Sequence, residues 1–192
     1  MSGSAPKPVR VLLDIDGVLN VEAPGRGTLP YEWSAASWRR RGVRVDGFMS
    51  ALPIVWSREA IRALRRIEAL PGVEMMWCTT WRTQASDLFG PLVGIGEDWP
   101  FADQAGNREP HRRGWWKAVA AREALAAGYR VVWIDDEIAA HRSVRGQSAP
   151  ENRLEWMHTD SLFMVCPISG SGLLPEHVEA ILTWITSGER PD

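Results

Sequence analysis

VRVLLDIDGVLN, residues 9 to 20, is the stretch from which the rest of the chain can be read. Its first half is an unbroken run of β-branched and leucine side chains, the signature of a strand buried on both faces. The run ends in two aspartates, Asp14 and Asp16, one residue apart, and Gly17 follows at once. Like charges at the end of a buried strand repel and lose hydration unless something compensates them. A turn after a strand, with Asp16-Gly17 as its turn chemistry, would explain the pair alone. A site would explain it better, provided the remaining sequence supplies the compensation.

Outward from this strand the pattern alternates. SREAIRALRRIEAL (57–70) places Ile61, Leu64, Ile67 and Leu70 on one helical face, with Ser57 as N-cap and Pro71-Gly72 as the stop. VEMMWCT (73–79) is a second strand, and RTQASDLFGPL (82–92) starts helically and is expected to break at Gly90-Pro91. A loop-rich stretch, 94–114, leads to the helix WWKAVAAREALAAG (115–128), which ends on Gly128. YRVVWIDD (129–136) is a third strand, again ending in two aspartates. SLFMVCP (161–167) is a fourth, and PEHVEAILTWITSG (175–188) is a closing helix with Pro175 in its first turn.

Strands separated by helices imply an α/β fold, a Rossmann-like three-layer sandwich with a mainly parallel central sheet. The expected organisation is a disordered lead over 1–8 and one domain over 9–190. Residues 21–53 are too long for an ordinary βα loop. They read as a small hairpin flap, with a short strand at GVRVDGF (42–48), too small to be a large cap. Ligands of such sheets bind beyond the carboxyl ends of the strands, where Asp14, Asp16, Thr79, Thr80, Asp135 and Asp136 gather.

The bulk numbers narrow the class. With 45% hydrophobic and 24% charged residues the chain has globular composition. A net charge of −2 gives no reason to expect nonspecific nucleic-acid binding. SWRRRGVR (37–44) reads as a solvated face, whereas PHRRGWW (110–116) could supply cations and stacking. Cys78 and Cys166 sit in apolar runs and are expected as reduced core residues. No apolar stretch is long enough to cross a bilayer, and no signal peptide is read at the N-terminus. The expectation is a soluble cytoplasmic protein without a membrane partner. Most of the 11 tryptophans should fill the core; Trp81 and Trp99 are candidates for a substrate wall.

Converging carboxylates at Asp14, Asp16, Asp135 and Asp136 need a cation, and an all-oxygen set favours a hard one, Mg²⁺ above others. A carboxylate beside Mg²⁺ can act as a nucleophile while its neighbour shuttles a proton. A hydroxyl at the second strand end suits a phosphate oxygen. Lys117, at a helix start, can balance the remaining negative charge, with Arg112 or Arg113 as alternatives.

LLDIDGVLN, MMWCTT, the helix carrying Lys117 and VVWIDD together resemble, in order, the four motifs of the haloacid dehalogenase (HAD) superfamily of phosphohydrolases. DIDGVLN, WCTTW and WWK before WIDDE are also similar to small actinobacterial members with a minimal cap. The resemblance implies that Asp14 attacks phosphorus to form an aspartyl-phosphate and that Asp16 protonates the leaving group, then activates water. It implies that Thr79, or Thr80 with the register shifted by one, binds a phosphoryl oxygen and that Lys117 steadies the charges; the backbone N–H groups after Asp16, from Gly17 onward, could cradle the phosphate. Asp135 and Asp136 would hold Mg²⁺ with Asp14 and the backbone carbonyl of Asp16. The expected activity is a Mg²⁺-dependent phosphatase acting on a small phosphate monoester. A nucleotide or a polynucleotide end is the alternative substrate, and a noncatalytic binding scaffold is the alternative class.

Overall fold

The computed structural model describes residues 7–21, 29–30, 32–44, 50–102, 115–143 and 154–190. The expected lead falls mostly outside them. Six strands are described: β1 (Val9–Leu13), β2 (Trp38–Val43), β3 (Leu52–Ser57), β4 (Val73–Trp77), β5 (Arg130–Ile134) and β6 (Leu162–Val165). The α-helices described are α1 (Arg58–Glu68), α2 (Gly90–Val93), α3 (Trp116–Ala126), α4 (Ile138–Ser143) and α5 (Pro175–Ser187).

Four strands form one parallel sheet in the order β4-β1-β5-β6, with the opening sequence at its centre. Alternation along the strands makes the layers. Val11 and Leu13 of β1 and Val132 and Ile134 of β5 pack with Ile61, Leu64 and Ile67 of α1 and Ile181 and Trp184 of α5. Leu12, Val131 and Trp133 point the other way, onto Ala118, Ala121 and Ala124 of α3. Small alanines there let the helix lie close to the fully buried Trp133 ring. Burial of each large side chain contributes roughly 1.5–3 kcal/mol. The result is the expected α/β architecture.

Ser57 caps α1 as anticipated, accepting hydrogen bonds from the Glu59 and Ala60 N–H groups at 3.1 and 3.3 Å. The insertion before it is a hairpin, β2 antiparallel to β3, and its strands differ from the expected position. Pairing starts at Trp38 with Ser57 and ends at Val43 with Leu52. The apolar run Ile54-Val55-Trp56 drives this register, because it is buried in the same core as α1. The hairpin is joined to the end of β1 by the Val21 N–H bonding Val55 O at 2.8 Å.

Helix does not break at Gly90-Pro91. It runs from Thr83 through a π-helical turn, Ala85–Phe89, into α2. The Gly90 N–H bonds Ala85 O, five residues back. This wide turn absorbs Pro91, whose ring would clash with the preceding helical turn and which has no N–H to give. Gly94, at φ +84°, ends the helix instead.

Two further expectations are corrected by packing. Trp99 is no substrate wall: its ring lies 4.8 Å from that of Trp77, and its indole N–H bonds Glu68 Oε1 at 2.8 Å. Gly96 permits this, since a Cβ at its φ of +77° would come within 2.4 Å of the Trp77 ring. Cys78 is buried and Cys166 is exposed, because Cys166 lies just past the end of the edge strand β6. Both thiols are free. Among the described residues no helix is long and apolar enough to cross a membrane.

Candidate active site

Parallel strands deliver their carboxyl ends to one edge of the sheet, and three adjacent strands, β4, β1 and β5, build the site there. The β1 ladder carries on one residue beyond the strand: the Asp14 N–H bonds Ile134 O at 3.0 Å. The Asp14 side chain is 5% exposed, and its Oδ1 accepts the Ile15 N–H at 2.7 Å. Asp135 is fully buried after β5, with its N–H on Val165 O at 3.1 Å and its Oδ1 accepting the Glu137 N–H at 2.9 Å.

Lys117, in the first turn of α3 and 2% exposed, joins the two. Its Nζ lies 2.5 Å from Asp14 Oδ2, 2.8 Å from Asp135 Oδ2 and 3.6 Å from Glu137 Oε2. Burial alone would lower the ammonium, but the Asp14 and Asp135 carboxylates outweigh it and hold it above its ordinary value. Burial raises Asp14, with Lys117 opposing. Burial and the Asp14 charge push Asp135 up to about 7, and burial with the charges of Asp14 and Glu137 pushes Asp136 up to about 6. The lysine leaves this carboxylate cluster short of positive charge.

Oxygens of Asp14, Asp135 and Asp136 all lie within 4.8 Å of one another. Asp135 is fully buried, and the Lys117 ammonium, which it shares with Asp14, lies 2.8 Å from its Oδ2. Three carboxylates and one ammonium leave two negative charges, which one divalent cation would balance. The donors are all oxygen, so the residues fit a hard cation such as Mg²⁺.

Gly17 is required by the same geometry. Its φ is +69°, and a Cβ there would sit 2.2 Å from Asp136 Oδ2. The glycine lets the loop after β1 pass directly beneath the acidic loop after β5.

Asp16 stands apart from the cluster. Its Oδ1 accepts from Asn20 Nδ2 and its Oδ2 from the Trp81 indole N–H, both at 2.8 Å. Asn20 in turn accepts the Val55 N–H at 2.9 Å, so the hairpin, Asn20 and Asp16 form one chain of bonds. The Asp16 carboxylate is therefore turned away from the group formed by the other three. Thr79 is buried, and its hydroxyl hydrogen-bonds Asp14. Thr80 is exposed, and Trp81 is buried with its ring edge toward Phe89. Arg112, Arg113 and residues 110–114 lie outside the described residues.

Asn20 was not legible as a site residue from sequence, although a polar amide inside the apolar VLNV is a signal of its own. Glu137, next after the acidic pair, has its Oε2 3.6 Å from Lys117 Nζ.

A family model described as HAD domain in Swiss Army Knife RNA repair proteins matches residues 10–162. That span holds every residue of the cluster. No curated protein and no solved structure matches the chain.

Proposed function

The chain belongs to the family of HAD domains in Swiss Army Knife RNA repair proteins, and on that premise we propose that it is a Mg²⁺-dependent phosphatase working through an aspartyl-phosphate. The observation that carries the proposal is the buried Lys117 spanning Asp14 and Asp135, with Asp136 beside them. A structural ion pair would need one acid for one lysine; a surplus of buried acids calls for a further cation.

Asp14, Asp135 and Asp136 would hold Mg²⁺, with Asp16 contributing only its backbone carbonyl. When bound, the ion neutralises the charge on the transferring phosphoryl group. Asp14 attacks phosphorus; its new O–P bond forms as the bond to the leaving oxygen breaks. Asp16, as the general acid, gives a proton to that oxygen, and the alcohol leaves. Asp16, now a carboxylate, takes a proton from water as the water attacks phosphorus, and the O–P bond to Asp14 breaks. Inorganic phosphate and the free Asp14 carboxylate result. Thr79 and Lys117 hold the phosphoryl oxygens and the nucleophile in place.

The family description favours one substrate class within this reading: a phosphate at the end of an RNA. Assays with Mg²⁺ on phosphorylated metabolites and on 3′- and 5′-phosphorylated oligonucleotides test both, with Asp14→Asn as control. Turnover by the wild type alone is expected. No turnover on any of them would favour a binding scaffold.

Trp81 is given a positioning role rather than a wall, through its bond to Asp16. Trp81→Phe keeps the ring and removes the donor. The expected result is a fall in kcat of roughly 10- to 10²-fold with little change in KM. A rise in KM at constant kcat would make Trp81 a substrate-binding residue instead.

Cation removal has a signed pH dependence. Asp135 and Asp136 have raised values in the folded state, against about 3.9 unfolded. In the cation-free protein the stability they contribute is present below about pH 4 and is lost as pH rises through about 6 and 7. Mg²⁺ reverses this by binding the ionised forms. Thermal unfolding should therefore show a larger Mg²⁺-induced rise in Tm at pH 8 than at pH 5. An equal rise at both would contradict the assignment.

A further inference from the structure

We infer that the groove between α1 and the helical segment 83–93 binds the phosphodiester backbone of single-stranded RNA, whose phosphorylated end reaches the Asp14 site. This rests on the RNA-end reading above and extends it to a surface. Both helical segments start near the site. The first follows β3, which is bonded to Asn20 and Val21 directly after the β1 loop. The second follows the loop Thr79–Arg82 at the end of β4. At the far end Arg65 Nε bonds Gly94 O at 3.1 Å, so the groove runs away from the site between the two.

A concavity of about 140 Å³ in it is lined by Arg58, Ile61, Arg62, Arg65 and Val93. The floor is apolar, the lip is arginine, and no acid is among the lining residues. Arg58, Arg62 and Arg65 are four and three residues apart, on one helical face, spaced about 6 and about 4.5 Å along the axis. All three are exposed. The next arginine, Arg66, is paired with Glu179. Arg58 and Arg62 make no ion pair among the described residues. Glu59, one turn before Arg62 and close enough to feel its charge, has both oxygens already accepting from Ser34.

Arg82, in the loop that leads into the second helical segment, is exposed. It is the non-glycine residue of the described chain with positive φ, +54°. Such strain is retained where surrounding structure enforces it, often at a ligand site. The net charge of the chain is −2, so this basic row is a local feature and not a consequence of bulk charge.

The test is binding of a fluorescein-labelled single-stranded RNA with a terminal phosphate, by anisotropy over a salt series. It uses Asp14→Asn protein, so no hydrolysis intervenes. Arg58→Ala/Arg62→Ala is the variant; Arg65 is kept because it braces Gly94. The slope of log affinity against log salt should become shallower by about 1.4, at about 0.7 for each phosphate left without its arginine. In the enzyme with Asp14 intact, kcat/KM for the oligonucleotide should fall more than that for a mononucleotide. An unchanged slope, or RNA binding no tighter than mononucleotide binding, would overturn the inference. The groove and the phosphatase are separable by these outcomes. RNA binding without turnover keeps the groove and removes the phosphatase. Turnover with no preference for oligonucleotides does the reverse.

Discussion

Asp14→Asn is expected to lower kcat on the order of 10⁴-fold or more while the protein stays folded. Asparagine has the same shape, and its carbonyl can still accept the Ile15 N–H that now bonds Asp14 Oδ1. What it lacks is the anionic oxygen that attacks phosphorus. Lys117 retains Asp135 as an ion-pair partner 2.8 Å away, so the ammonium is not stranded. Removing one of the crowded carboxylates should also shrink the Mg²⁺-induced rise in Tm. Initial rates, and acid-stable trapping of labelled phosphate on the protein, check the chemistry. Unaltered unfolding without Mg²⁺ checks the fold. Turnover that survives the substitution would exclude an aspartyl-phosphate at this position.

Lys117→Met should have the largest effect on stability. Methionine fills the buried volume but leaves Asp14 and Asp135, both nearly inaccessible, with no positive charge. Breaking one partner out of a buried ion pair costs about 3–5 kcal/mol. For a domain of this size that is a fall in Tm of roughly 6–20 °C. Activity should be lost with it, since the nucleophile is no longer held. The stability loss should be partly recovered by Mg²⁺ and by adding Asp14→Asn, which removes one stranded charge. Activity should return in neither case. If Lys117→Met melts with the wild type, the ion pairs at 2.5 and 2.8 Å do not exist in solution.

What the sequence disclosed, and what it withheld, divides along physical lines. Asp14, Lys117, Asp135 and Asp136 sit at strand ends or a helix start, and a parallel sheet must bring such positions to one edge. Their convergence follows from element order alone. Asp16 follows the same spacing, but the direction of its carboxylate depends on Asn20 and Trp81. Asn20 in turn depends on Val55, in a hairpin whose register local propensity did not set. Pro91 signalled a break because the usual helical geometry excludes it; a π-helical turn is a tertiary solution with no local mark. Trp99 was recognisable as a large apolar side chain, but only the return of the chain past Gly96 decides that it faces Trp77 rather than the site.

The central place of β1 also bears on how the protein comes to be folded. Val9 pairs with Val73 on one side and with Arg130 on the other, both far along the chain. Pairings of that range are closed late and slowly, because chain entropy opposes them until much of the sheet is present. The strands that carry Asp14, Thr79 and Asp135 are these same three. A nascent chain that has not yet emerged through residue 135 therefore has no site at all, and completing the sheet and acquiring the acidic cluster are one event.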